Sequence, residues 1–171
     1  MSKKSIILFF VLLIILPSCT VWHQIKRFVC IEKSTIEANY SPNEIDRIIR
    51  KGLTFRGVPY KSGGIDERGL DCSGLLFLVY STEGYEIPRL SKDQSNFGLP
   101  VSLNEIQVGD WIFFRTNNSK EVNHAGLVTN SKGGFDVEFL HASTSKGVRV
   151  DKLTNAYWSK ALFKIIRPFK N

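Results

Sequence analysis

Three residues in this sequence have the types and positions for nucleophilic chemistry, and the first of them is Cys72. It follows Asp71 directly, and aspartate favours the N-cap position of a helix. A cysteine in the first turn of a helix lies at the positive end of the helix dipole, which favours the reactive thiolate. The unpaired backbone N–H groups at a helix start also bind a developing oxyanion. This segment therefore predicts a nucleophile and an oxyanion stabiliser at one helix N-terminus.

A thiolate nucleophile needs a base or a cationic partner, and the chain has three histidines. His23 lies near the N-terminus, whereas His124 begins one predicted strand and His141 ends the next. In a hairpin the start of one strand lies beside the end of its partner, so we expect His124 and His141 to be neighbours. The pattern predicts a triad in which His124 is the base and His141 orients its ring.

Two other interpretations of the same residues stay open. A single cysteine on an apolar helix and single histidines at strand ends are more often structural than catalytic. One cysteine and two histidines could also supply three ligands to a zinc ion. No two of the three residues are closely spaced, and no carboxylate is obviously placed as a base, so the pattern does not favour zinc.

Two predicted helices precede the strands and must position the nucleophile. The first begins at Ser41, where Ser41-Pro42-Asn43-Glu44 has the form of a capping box with proline at the first helical position. The second begins after Asp71 and is apolar on nearly all sides, so we expect it to be central and buried. Gly84 is expected to end this helix, and residues 85–108 are expected to be mostly loop.

Short segments that are rich in β-branched and aromatic residues follow from Gly109 onward, with turn residues between them. Helices first and strands afterwards predict an α+β domain with an antiparallel sheet. The predicted strands are 111–115, 125–129, 137–140, 148–150 and 163–166.

The N-terminus has the pattern of an export signal. Two lysines precede an apolar run that is too short to span a bilayer as a helix, which takes about 20 residues. Leu16-Pro17-Ser18-Cys19 resembles the bacterial lipobox, in which the cysteine is lipidated. We therefore predict a lipoprotein signal peptide over 1–18, a lipid anchor on Cys19 and a tether over 19–40. An ordinary signal peptide with a chance cysteine is the alternative.

Length and composition allow one domain and exclude several classes of protein. The chain has 171 residues, of which 43% are hydrophobic, and three cysteines, so it is neither disordered nor a disulfide-dense scaffold. Cys30 is expected to be a bystander, because nothing beside it would activate its thiol. Loss of 1–18 removes two lysines and lowers the net charge from +7 to +5. That charge fits anionic cell wall and membrane surface, and no basic helix or motif supports nucleic-acid binding.

A longer series of motifs resembles the NlpC family of bacterial cell-wall cysteine peptidases, roughly from Glu44 to Phe169. In the family an aromatic residue often precedes the Gly-Gly pair, whereas Lys61-Ser62 stands there in this chain, which affects the shape of one subsite. The matching strings, in the family's order, are Gly57-Val58-Pro59-Tyr60, Gly63-Gly64, Asp71-Cys72-Ser73-Gly74-Leu75, Pro88-Arg89 with Ser91 and Gln94, Gly109-Asp110-Trp111-Ile112-Phe113-Phe114, His124-Ala125-Gly126 and His141-Ala142.

The resemblance implies a papain-like α+β fold over 41–171, with the nucleophile at a helix start packed on a five- to six-stranded antiparallel sheet. It implies hydrolysis of amide bonds in peptidoglycan stem or cross-link peptides by Cys72, His124 and His141, with no metal and no organic cofactor. A cell-wall amidase or acyltransferase on the same scaffold is one alternative. A non-catalytic lipoprotein that binds the wall is the other.

Four further residues match family positions around the substrate groove. The resemblance implies that Tyr60 lies beside the nucleophile, either to polarise the carbonyl and hold substrate or as an aromatic wall. Asp71 and Ser73 match groove positions, although Asp71 could serve as the helix cap alone. Arg89 could pair with a substrate carboxylate or be an exposed structural residue.

The expected location is the bacterial cell envelope. Thr20 after Cys19 is not the Asp-type signal that retains lipoproteins in the inner membrane of enteric bacteria. We therefore expect an exported lipoprotein in the outer membrane, facing the periplasm. We expect it to be a monomer that acts on peptidoglycan.

Overall fold

The computed structural model describes residues 41–169. The predicted signal peptide, the lipidation site Cys19, and the tether with Cys30 lie outside the described residues, so they stay predictions. In the part of the chain that the structure describes, no helix combines the length and the apolar character that a membrane crossing needs.

Helix α1 (Pro42–Thr54) begins with the predicted capping box. The Ser41 hydroxyl accepts a hydrogen bond from the Glu44 backbone N–H at 3.3 Å, and the Glu44 carboxylate accepts one from the Ser41 backbone N–H at 2.7 Å. Two orphan donors at the helix start are thereby satisfied. Ile48 and Ile49 lie on the buried face of α1, which packs against the next helix.

Helix α2 (Cys72–Thr82) confirms the prediction of a central buried helix. Its apolar positions, such as Leu75 and Leu76, are 1% exposed. The helix ends at Thr82, and Gly84 follows with φ at +83°, a left-handed conformation that favours glycine. A short hairpin of β1 (Ile65–Asp66) and β2 (Gly69–Leu70) immediately precedes α2.

A six-stranded antiparallel sheet forms the rest of the domain and confirms the predicted fold class. The five predicted strands are all present, with ends that differ by up to two residues in most cases. The strands are β3 (Leu99–Pro100), β4 (Trp111–Phe114), β5 (His124–Ser131), β6 (Val137–Ser143), β7 (Gly147–Lys152) and β8 (Leu162–Arg167). Their order across the sheet is β3-β8-β4-β5-β6-β7.

Four short elements were not predicted, besides the hairpin before α2. The segment 85–108, expected to be mostly loop, contains β3, helix α3 (Ser91–Gln94) and a 3₁₀ turn (Leu103–Glu105). A fourth element, helix α4 (Ala156–Ala161), joins β7 to β8. Each spans six residues or fewer, which is too short for a hydrophobic period to show.

Both faces of the sheet are covered, and this explains why β4 is apolar at every position. Trp111 and Phe113 point toward α1 and α2, whereas Ile112 and Phe114 belong to a second apolar cluster that Trp158 of α4 also joins. All four β4 side chains are fully buried. The sheet therefore separates a helix side from an α4 side.

Strand β7 is also joined to the segment that follows α1. The Val148 backbone N–H donates to Val58 O at 2.8 Å, and the Gly57 backbone N–H donates to Val148 O at 2.9 Å. A Cβ at Gly147 would lie 2.3 Å from Val58 O, so only glycine allows this approach. The segment that leads to Tyr60 is thus hydrogen-bonded to β7.

Candidate active site

Cys72 is the first residue of α2, and its side chain is packed against the start of β5. The Asp71 carboxylate caps the helix by accepting a hydrogen bond from the Gly74 N–H at 2.6 Å. The Ala125 backbone N–H, one residue after His124, is near enough to the Cys72 sulfur to lower the pKa of its thiol. The nucleophile predicted at the helix start therefore lies beside the strand that carries the predicted base.

The thiol of Cys72 does not rest as a thiolate, contrary to the expectation from the helix dipole. Burial raises its pKa to about 11, and the nearby Asp71 charge raises it further, whereas the N–H groups of Ala125, Ser73 and Cys72 lower it. The cysteine is only 7% exposed, so the loss of hydration outweighs the favourable N–H groups. A base must therefore remove the proton during attack.

His124 and His141 are in direct contact, which confirms that they are neighbours. His124 Nε2 lies 2.9 Å from His141 Nδ1. Both rings are buried, at 8% and 0% exposure. Burial lowers the pKa of His124 to about 3, and burial also lowers the pKa of His141 although Asp151 opposes that shift. Both imidazoles are therefore neutral at neutral pH, so His124 has a lone pair available.

Asp151 and Trp158 complete the surroundings of the two histidines, and neither was predicted. His141 Nε2 lies 3.0 Å from Asp151 Oδ2, which also accepts a hydrogen bond from Trp158 Nε1 at 3.2 Å. The Trp158 ring stacks on His124 at 5.2 Å between centroids and meets His141 edge-on at 4.9 Å. Trp158 thus packs against both histidines on the α4 side.

A signal for Asp151 was present in the strand pattern. Strand β7 extends to Lys152, two residues beyond its predicted end, and pairs with β6 so that Arg149 is directly opposite His141. Side chains alternate along a strand, so Asp151 lies on the same face as Arg149. A longer strand in the prediction would have placed a carboxylate beside His141. Trp158 gave no such signal, because α4 is too short to predict.

Asp71, Ser73 and Arg89 form one hydrogen-bonded cluster at the start of α2. The Arg89 guanidinium donates to both Asp71 carboxylate oxygens, at 3.0 and 2.8 Å, and to the Ser73 hydroxyl at 2.9 Å. The Gly63 N–H also donates to Asp71, at 2.8 Å. Burial alone would raise the pKa of Asp71, but Arg89 and the N–H groups of Gly74 and Gly63 lower it below its usual value.

Arg89 is therefore an internal partner of Asp71 and not an exposed residue, since only 29% of its side chain is accessible. Glycines allow this close packing. A Cβ at Gly74 would lie 2.1 Å from Gly64 O, and a Cβ at Gly64 would lie 2.2 Å from Gly69 O. The β1–β2 hairpin can thus approach the first turn of α2 directly.

Tyr60 lies near the nucleophile, where the resemblance implied a tyrosine. It is partly buried and forms an isolated bridge with Leu70, two residues before Cys72. Burial, followed by the nearby Cys72 and Asp71, raises the pKa of the Tyr60 hydroxyl. The hydroxyl is therefore protonated at neutral pH and is available as a hydrogen-bond donor.

The described residues contain no group of three or more histidine, cysteine, aspartate or glutamate side chains arranged to hold a metal ion. Cys72, His124 and His141 thus do not form such a group.

Comparisons with known proteins identify the fold and the motifs. The NlpC/P60 family model matches residues 57–167. A probable endopeptidase of Haemophilus influenzae is 38% identical over 114 residues, which are 66% of this chain and 68% of that protein. A murein DD-endopeptidase/murein LD-carboxypeptidase, MepS of Escherichia coli, is 31% identical over 147 residues, which are 81% of this chain and 74% of that protein.

A solved structure described as similar to a lipoprotein of the NLP/P60 family, from Staphylococcus aureus, superposes with a TM-score of 0.67 at 29% identity. The match covers 79% of this chain and 44% of the solved chain, so this chain spans less than half of that protein.

Proposed function

This chain belongs to the NlpC/P60 family, and we propose that it cleaves amide bonds in the peptides of peptidoglycan with Cys72 as nucleophile, His124 as base and His141 as the residue that orients His124. The family makes it a cysteine peptidase of the cell envelope. One observation carries the assignment of residues. The N–H of Ala125, directly after His124, is near enough to the Cys72 sulfur to lower the pKa of its thiol, and His124 contacts His141 at 2.9 Å.

In the first half of the reaction, the Cys72 sulfur attacks the carbonyl carbon of the scissile amide while its proton passes to His124. The N–H groups of Cys72 and Ser73 lie at the helix start next to the sulfur and stabilise the oxyanion. The Tyr60 hydroxyl is a further donor to that oxygen. His124 then gives its proton to the leaving amine, and a thioester remains on Cys72.

In the second half, water attacks the thioester carbonyl while His124 takes a proton from it. The carbon–sulfur bond breaks, the acyl group leaves as a carboxylic acid, and the proton returns to Cys72. The neutral resting pair fits this cycle, because the proton moves from sulfur to imidazole as the sulfur attacks, while N–H groups stabilise the charge that develops on the carbonyl oxygen.

Cleavage of purified sacculi tests the proposal. We expect the protein to release muropeptides whose masses identify a cut within the stem or cross-link peptide, and we expect Cys72→Ala to abolish release. Cys30→Ser is the matched control and should retain full activity. Circular dichroism verifies that Cys72→Ala is folded. Cleavage by folded Cys72→Ala would overturn the assignment of the nucleophile.

The same digest separates the alternatives. Release of intact peptides from the glycan would identify an amidase. Transfer of the acyl group to an added amine, without hydrolysis, would identify an acyltransferase. Binding to sacculi without any product would identify a wall-binding protein. We expect a chelator to leave the activity unchanged; loss of activity that zinc restores would support a zinc site.

We also propose that a lipid on Cys19 anchors a monomeric enzyme to the outer membrane through the tether at 19–40. The support is Leu16-Pro17-Ser18-Cys19 after a short apolar run, together with a net charge that stays positive without residues 1–18. Radiolabelled palmitate should be incorporated into the wild type and not into Cys19→Ser. Equal labelling of the two proteins would contradict the anchor.

A further inference from the structure

We infer that Asp151 is a positioning residue that sets the proton arrangement of the two histidines, so that His124 presents the lone pair of Nδ1 as the catalytic base. The inference rests on the proposed function for its consequence on rate. The proton arrangement itself follows from the hydrogen-bonding groups in the described structure.

Asp151 is held by three donors from different elements. Trp158 Nε1 donates to Oδ2 at 3.2 Å, and a guanidinium nitrogen of Arg149 lies 2.6 Å from Oδ1. The third donor is His141, whose Nε2 lies 3.0 Å from Oδ2. The carboxylate is 21% exposed, and Arg149 and His141 face each other across β6 and β7. Its orientation toward His141 is therefore fixed from several sides.

The proton arrangement follows from these contacts by elimination. An ionised carboxylate only accepts hydrogen bonds, so Nε2 of His141 must carry the proton. A neutral imidazole has one N–H, so Nδ1 of His141 is an acceptor. His124 Nε2, 2.9 Å away, must then carry the proton that it donates to His141. Nδ1 of His124 is left with the lone pair, and this nitrogen is free to take the proton of Cys72.

The charges around the pair agree with this arrangement. The groups that face the two histidines are Cys72 from α2, Arg149 and Asp151 from β7, and the uncharged Trp158 from α4. Burial lowers the pKa of His141, and the Asp151 charge raises it less than burial lowers it. His141 thus stays neutral and acts as a hydrogen-bonding link. The Asp151 charge also favours a proton on His124, which stabilises the imidazolium that forms during attack.

Nitrogen NMR of protein with ¹⁵N-labelled histidine tests the inference directly, because ring nitrogens with and without a proton have very different shifts. In the wild type we expect both His124 and His141 as Nε2–H tautomers. In Asp151→Ala we expect His141 to populate both tautomers. In Asp151→Asn the amide oxygen can still accept from His141, so the Nε2–H tautomer should be largely retained.

The rate of peptidoglycan cleavage gives the second measurement. We expect Asp151→Ala to lower kcat by about 10- to 100-fold with little change in KM, because part of the contribution of the general base, about 10²- to 10⁴-fold, is lost when the tautomers mix. Asp151→Asn should recover part of that loss. Asp110→Asn is the matched control, since it breaks another buried aspartate–arginine pair, at 2.9 Å from Arg167, and contacts neither histidine. It should leave both tautomers and kcat unchanged.

The outcomes separate this inference from the proposed function. Wild-type tautomers and wild-type kcat in folded Asp151→Ala would overturn the role of Asp151 and leave the peptidase assignment intact. An inactive wild type whose tautomers change on Asp151→Ala would overturn the proposed function and support the proton arrangement. If Asp151→Ala fails to fold, the wild type and Asp151→Asn provide the test. The inference would be overturned if His141 carries its proton on Nδ1 in the wild type and Asp151→Asn has the wild-type kcat.

Discussion

Asp71 and Asp151 are both partly buried carboxylates that pair with an arginine, but their other contacts differ. Asp71 lies at the helix start that carries the nucleophile, whereas Asp151 contacts the histidine that orients the base. Asp71 accepts hydrogen bonds from the backbone N–H groups of Gly74 and Gly63. Asp151 accepts from side chains only, those of His141 and Trp158 in addition to its arginine. One aspartate–arginine pair therefore fixes the backbone that carries the sulfur, whereas the other fixes the rings that carry the proton.

The largest expected effect is a pH dependence of the free energy of unfolding, which comes from the two histidines near Asp151 and not from Asp71. His124 and His141, on the Asp151 side, have folded-state pKa values below the usual 6.5, so the unfolded chain binds more protons as the pH falls below that value. The free energy of unfolding should therefore fall by up to about 1.4 kcal/mol per pH unit for each histidine. For His124 this continues until its folded-state pKa of about 3.

Urea unfolding at pH 7, 6 and 5, followed by tryptophan fluorescence, measures this slope. We expect His124→Gln to lower this slope by up to about 1.4 kcal/mol per pH unit, because one of the two histidines no longer titrates. Asp71→Asn is the control, because the lowered pKa of Asp71 makes its own contribution disappear only below about pH 4, where the unfolded carboxyl also becomes protonated. A His124→Gln slope equal to that of the wild type would contradict the neutral histidine pair.

Removal of the Asp71 carboxylate should give the next largest effect. Asp71→Ala removes the helix cap and leaves Arg89 without its carboxylate partner, and we expect the free energy of unfolding at pH 7 to fall by about 2–3 kcal/mol. Activity should fall as well, since the N–H groups of Cys72 and Ser73 lose their fixed positions. Urea denaturation measures the loss. Asp71→Asn keeps a capping oxygen and should lose less; equal losses in both variants would show that the charge, and not the cap, is what stabilises the helix start.

A smaller difference should separate the two arginines. Arg89 contacts both oxygens of Asp71, whereas Arg149 contacts one oxygen of Asp151. Lysine cannot reproduce a two-pronged contact, so Arg89→Lys should cost about 1 kcal/mol and Arg149→Lys less than about 0.5 kcal/mol. Thermal unfolding of the two variants, compared side by side, checks the order. A larger loss of stability in Arg149→Lys than in Arg89→Lys would contradict the view that the Asp71 pair contributes more to stability than the Asp151 pair.

The smallest effect is expected at a third aspartate–arginine pair, Asp66 and Arg68 in the β1–β2 hairpin. The side-chain hydrogen bond from Arg68 lowers the pKa of Asp66 to about 2, yet the two side chains are 84% and 44% exposed, arginine first. Water screens such a pair, so Arg68→Ala should unfold at the wild-type temperature. A clearly lower unfolding temperature would contradict the view that exposure makes this ion pair weaker than the pairs at Asp71 and Asp151.

The sequence predicted the Asp71 side better than the Asp151 side, and the reason is physical. A helix cap is a local pattern, so Asp71 and Cys72 are visible from a few adjacent residues. The contact between His124 and His141 also followed from one hairpin. Asp151 required the pairing register of β6 and β7, and its second donor Trp158 lies on a six-residue helix whose formation depends on tertiary packing.

Two expectations from local pattern were modified by burial. The helix dipole favours a thiolate at Cys72, but the tertiary structure buries the sulfur and reverses the balance. Arg89 was expected to be exposed or to meet a substrate carboxylate, whereas the fold places Asp71 within reach. In both cases the packing of distant segments decides the charge state or the partner of the side chain.

The hydrogen bonds that join Gly57 and Val58 to Val148 connect the surroundings of Tyr60 mechanically with those of the histidines. One strand, β7, carries the support of the histidines at Asp151 and, through its first residues, holds the segment that places Tyr60. A displacement of Tyr60 would therefore pull on the same strand that supports His141 through Asp151. The hydroxyl near the nucleophile and the support of the proton acceptor should move together and not independently.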